Sequence, residues 1–161
     1  MHRQFTLRIM AALLLVVSAL SGLPNAQAEG GMRYAVNSAP PAYQQECAAC
    51  HIAYPPGLLP AASWQRLMSN LPRHFGTDAS LDAATAKEIS TWLSRNAGTR
   101  HGLTAPPEDR ITRSAWFLRQ HDEVPTDAWK RASIRSASNC SACHSRASQG
   151  DFDEDHVRIP R

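Results

Sequence analysis

Cys47-Ala48-Ala49-Cys50-His51 is one of two copies of a Cys-x-x-Cys-His pattern, the other being Cys140-Ser141-Ala142-Cys143-His144. Together they use all 4 cysteines of the 161-residue chain. The pattern is that of c-type haem attachment, in which two thiols bond the porphyrin vinyl groups and the adjacent imidazole becomes an axial iron ligand. In a helical motif the second cysteine and the histidine share a face with the first cysteine, so sulfurs and imidazole converge on one ring. This reading assigns Cys47, Cys50, Cys140 and Cys143 as haem anchors, His51 and His144 as proximal ligands, and two covalently bound haem c groups as cofactors.

Other uses of paired cysteines explain less. A thioredoxin-like pair belongs in a βαβ context, which the pattern lacks, and gives neither histidine a role. One zinc site shared by the four cysteines would span the 89 positions from His51 to Cys140, far beyond finger or ribbon spacings. Two structural disulfides would need no histidine.

Residues 1–28 read as an export signal. Arg3 and Arg8 give a positive start, Ile9 to Leu20 an apolar run too short to span hydrocarbon comfortably, and Ala26-Gln27-Ala28 a small-residue cleavage site. Export suits covalent haem attachment, which takes place outside the cytoplasm, and the expected location is periplasmic. Removing the signal takes two arginines and no acid from the 17 basic and 14 acidic residues, leaving 15 and 14. Propionates would add negative charge, so nucleic acid is not an expected partner.

The pattern predicts a mostly α fold. Helices are expected over Tyr43 to His51, Ala61 to Leu71, Leu81 to Asn96, Thr112 to His121 and Asp127 to Ser138, and no alternating strand pattern occurs. The third has Thr77, Asp78 and Ser80 as candidate caps, an apolar face of Ala84, Ile89, Trp92 and Leu93, and Gly98 as a left-handed C-cap. Residues 29–99 would form a first haem-bearing domain and 100–161 a second, joined through Gly102 to Asp109. The acidic stretch Asp151 to Asp155 reads as a solvated surface. Trp64, Trp92, Trp116 and Trp129 would cover porphyrin faces or fill the core.

The sixth iron ligand separates carrier from catalyst, since an open position can bind oxygen, peroxide or nitrite. His74 is the candidate for the first haem, with Met68 as rival. His121 is the candidate for the second, four residues after Phe117, with His156 and His101 as rivals. Histidine on both sides predicts a lower potential than histidine with methionine.

Beyond the two motifs, Pro56-Gly57-Leu58-Leu59-Pro60, Trp64, His74-Phe75-Gly76, the Trp116 to His121 stretch and the closing Val157-Arg158-Ile159-Pro160 resemble the periplasmic dihaem cytochromes c of the DHC type. The resemblance implies a class I cytochrome c-like N-terminal domain, a small irregular helical C-terminal haem domain, and bis-histidine haems. It also implies partners: a small oxygen-binding monohaem cytochrome and a membrane b-type cytochrome. The expected function is relay of single electrons by a monomer that is not an enzyme. The alternative is a small dihaem peroxidase or reductase with one open-site haem, and a third reading is the haem-bearing subunit of a membrane redox complex.

Overall fold

The computed structural model describes residues 38–161, so the expected signal at 1–28 lies outside the described residues. Helix α1 (Pro41–Cys47) opens with proline at its first position, where a missing N–H costs nothing. It ends at Cys47, and Ala48 to Cys50 continue as a turn. Helix α2 (Ala61–Met68) stops ahead of Pro72 and is followed by a 3-10 turn at Leu71–Arg73.

Helix α3 (Ala83–Arg95) is capped by Asp82, whose carboxylate accepts the Ala84 and Thr85 backbone N–H groups, each at 3.0 Å. The cap is therefore not Thr77, Asp78 or Ser80. Asp78 instead accepts from the Ser80 N–H and hydroxyl, closing a local turn. Ile89 and Leu93 are buried as expected, while Ala84 is exposed, so the apolar stripe belongs to the C-terminal half of the helix.

Gly98 also departs from expectation: positive φ occurs at Gly76, Gly102 and Gly150, not there. Close approach is what requires glycine at 98. Its N–H donates to the Leu59 carbonyl at 2.9 Å, and a Cβ would stand 2.5 Å from the Gly57 oxygen.

After a 3-10 turn at Ile111–Arg113, Ser114 caps helix α4 (Ala115–Gln120) by accepting the Phe117 N–H. The helix expected over Asp127 to Ser138 is reduced to one 3-10 turn, Ala128–Lys130, and Asp127 makes no cap bond. The cause is local competition. Ser136 takes the Ser138 N–H and pairs with its hydroxyl, and Arg135 is left-handed at φ 66. Arg131 instead ties this segment to the tail through the Pro160 carbonyl.

The fold is mostly helical, and among the described residues β pairing is confined to isolated bridges at His74–Thr77 and His144–Val157. Helices α1 and α2 pack on α3 around Tyr43, Ala53, Leu59, Trp64, Ile89 and Leu93. Phe117, Ala128, Ile134 and Ala147 are the buried apolar residues of the second half. Contacts cross residue 99: Arg66 pairs bidentately with Asp109, and Ile111 packs on the first core. None of the described helices is long and apolar enough to cross a membrane.

Candidate functional site

The first motif opens onto a cavity of about 590 Å³ whose lining includes Cys47, Cys50, His51, Leu59, Met68 and His74. Such a volume suits a prosthetic group rather than a bare ion. His51 is fixed twice, by its Nδ1 donating to the Ile52 carbonyl at 2.6 Å and by stacking on Tyr54 at 4.5 Å. With Nδ1 so engaged, Nε2 keeps its lone pair for a metal.

His74 is presented to the cavity on a tight turn. It ends the Leu71–Arg73 turn, Phe75 and Gly76 are left-handed at φ 52 and 96, and the Thr77 N–H returns to the His74 carbonyl at 3.0 Å. The His51 and His74 ring centroids lie 6.2 Å apart. Two imidazoles on opposite sides of one metal, with metal–nitrogen distances of about 2.0 Å, have centroids about 6.4 Å apart. Burial holds the His74 pKa below the ordinary imidazole value, and His51 and Arg110 push it the same way.

The second motif is a 3-10 turn, Cys140–Ala142, rather than α-helix. Convergence survives because the His144 N–H bonds the Cys140 carbonyl at 2.8 Å. Arg158 N–H bonds the Cys143 carbonyl at 2.9 Å, pairing His144 with Val157. His121 is the C-cap of α4. Its Nδ1 meets the Phe117 carbonyl at 2.9 Å, its ring stacks on Phe117 at 4.0 Å, and Trp129 stands 6.0 Å away. Its centroid is 6.1 Å from that of His144. Burial and the nearby His121 lower the His144 pKa, against an opposing pull from Asp151.

The thiols lack the electrostatics of a reactive redox pair. Burial pushes Cys47 and Cys140 up to about 11, the reverse of a reactive CxxC pair. Among the described residues no three His, Cys, Asp or Glu side chains cluster as a bare metal site, which removes the shared zinc alternative there. Each motif histidine has a second imidazole about 6 Å away, beside two cysteines of the attachment pattern, and this donor set fits haem. The buried Nδ1 atoms of His74 and His144 and Nε1 of Trp116 lack protein hydrogen-bond partners.

Two of the rival ligands are engaged or exposed away from the histidine pairs, and the third shares the first cavity. His156 sits 3.1 Å from Asp151 and 3.0 Å from Arg146, His101 lies on an exposed turn, and Met68 packs at the edge of the first core while lining the cavity. The acidic stretch is not wholly solvated, because Asp151 is 6% exposed and faces Arg146 and His156. Tyr54 escaped the sequence reading, although an aromatic three residues after a ligand histidine was a usable signal. Trp64 is buried with Nε1 on the Pro56 carbonyl at 2.7 Å, Trp92 packs on Tyr43, and Trp129 flanks His121.

Comparison with known proteins agrees with this geometry. A family model described as dihaem cytochrome c matches residues 43–152. A solved DHC structure from Rhodobacter sphaeroides is 47% identical with TM-score 0.62, covering 70% of this chain and 96% of that one. A diheme cytochrome type c from Shewanella baltica OS155 is 40% identical with TM-score 0.66, covering 74% and 92%. A further diheme cytochrome c structure from Rhodobacter sphaeroides is 43% identical with TM-score 0.64, covering 74% and 99%. No curated protein matches the chain.

Proposed function

We propose that this chain, which belongs to the dihaem cytochrome c family and carries two covalently bound c-type haems, relays single electrons between redox partners. The observation that carries the reading is the second histidine beside each motif histidine, 6.2 Å and 6.1 Å between centroids. Cys47, Cys50, Cys140 and Cys143 anchor the haems, His51 and His144 are the proximal ligands, and His74 and His121 complete the two coordination shells. Bound haem supplies an iron that changes charge by one electron.

The side chains serve to restrain. Carbonyl bonds from His51 and His121, with stacking on Tyr54 and Phe117, hold one imidazole of each pair against rotation. With His74 and His121 holding the haems from the second side, no site would be left for peroxide or nitrite, which favours a carrier over a small dihaem peroxidase or reductase. The signal-like N-terminus supports a periplasmic address. The family resemblance supports a small oxygen-binding monohaem cytochrome and a membrane b-type cytochrome as partners.

The test uses holoprotein matured with its own leader. Mass should exceed that of the polypeptide by two haems, and paramagnetic resonance should show two low-spin ferric centres. His74→Met and His121→Met should each raise one midpoint potential and leave the other nearly in place. Rapid carbon monoxide binding by the unaltered protein would instead establish an open site and the enzymatic alternative.

A further inference from the structure

Tyr54 stands in both haem sites at once. Its ring lies on His51, 4.5 Å between centroids and 21° between planes. Its hydroxyl donates to the Ser138 carbonyl at 2.6 Å, 84 positions along the chain. Ser138 lies two residues before Cys140, whose thiol approaches the same carbonyl at 3.7 Å. The cavity that holds Cys47, Cys50 and His51 is also lined by Ser138 and Cys140.

The tyrosine has little freedom of its own. Its carbonyl accepts the hydroxyl of buried Tyr43, and Pro55, which follows, is fully buried. Its acceptor is a main-chain carbonyl, which cannot rotate away as a side chain can. The segment from Arg131 to Asn139 has only short turns of its own, so an outside tether there has consequences.

We propose that Tyr54 is a positioning residue that couples the two haem sites: one end sets the ring of His51, the other sets the backbone that delivers Cys140. The proposal rests on reading both motifs as haem sites. Within that reading it explains why a group stacked on the first motif's histidine reaches the second, and it makes the second centre responsive to a substitution at a residue three positions from the first motif.

Tyr54→Phe keeps the stacked ring and removes the hydroxyl. Unaltered protein and variant are first weighed, so that absence of haem from the unaltered protein, which would count against the haem reading itself, is seen separately. In protein with both haems, amide exchange over 138–144 should quicken about tenfold, the loss expected for one such hydrogen bond. The midpoint of the centre assigned to the second motif by His121→Met should move. Tyr43→Phe, which removes a neighbouring hydroxyl and loosens Tyr54 only through its carbonyl, should move both readouts less than Tyr54→Phe does.

Unchanged exchange and an unchanged second midpoint in Tyr54→Phe overturn the proposal, as does an equal response to Tyr43→Phe. If Tyr54→Phe fails to mature, 3-fluorotyrosine at position 54 keeps ring and donor while altering donor strength. A shift of the second midpoint then supports the coupling, and its constancy overturns it.

Discussion

Alanine at position 98 would drive a methyl group into a space the fold has closed. An ideal Cβ there stands 2.2 Å from Leu103 Cδ2 and 2.5 Å from the Gly57 oxygen. The leucine tip is half-buried and can turn aside. The oxygen cannot, because Gly57 sits in the Pro56–Leu58 turn between two buried residues. Restoring an ordinary 3.4 Å contact requires a retreat of 0.9 Å, the difference from 2.5 Å. Overpacking of this kind costs about 1–3 kcal/mol. Straining the Gly98 N–H to Leu59 bond adds about 1 kcal/mol. The narrower unfolded ensemble of alanine returns about 0.4–1 kcal/mol, and the net is about 2 kcal/mol. With a urea dependence of about 2 kcal/mol/M, the unfolding midpoint of the holoprotein should fall by about 1 M. Adding Leu103→Ala should recover little of that loss. Full recovery in the double variant, or an unmoved midpoint in Gly98→Ala, would refute the assignment of the clash to Gly57.

Other outcomes follow from single contacts. Trp64→Phe leaves the Pro56 carbonyl, now bonded at 2.7 Å beneath a side chain 6% exposed, without its donor; a loss of about 1–3 kcal/mol in chemical denaturation is expected, and an unchanged midpoint would contradict it. Asp82→Ala removes the α3 cap. The bonds from Thr85 and Ala84 hold the Asp82 pKa below its ordinary 3.8, so the stability it confers is present above that value and lost as pH falls through the lower folded value. The gap between wild type and Asp82→Ala in thermal melts should therefore narrow below pH 3.8, and a constant gap would exclude this origin.

Local patterns were legible where the physics is local. Two spacings named both haem motifs, and α3 announced itself through Ile89 and Leu93, four residues apart and both buried. His74 and His121, singled out by loop position and an aromatic neighbour, have ring centroids 6.2 Å and 6.1 Å from those of His51 and His144. The second half was misread because its backbone follows contacts that no window contains. Arg131 reaches Pro160 and Tyr54 reaches Ser138, while serine side chains undercut the helical alternative between them. Asp151 read as solvated since its neighbours are charged, yet folding places it against Arg146 and His156. Gly98 gave a correct residue type for a wrong reason, because close approach and positive φ leave the same letter in a sequence.

The three-residue turns at Ala128–Lys130, Cys140–Ala142, Ala147–Gln149 and Glu154–His156 have a consequence for biogenesis. Segments so short do not persist alone, and they depend on what they wrap. A chain that acquired only its first prosthetic group would present its last thirty or so residues as open substrate to resident proteases.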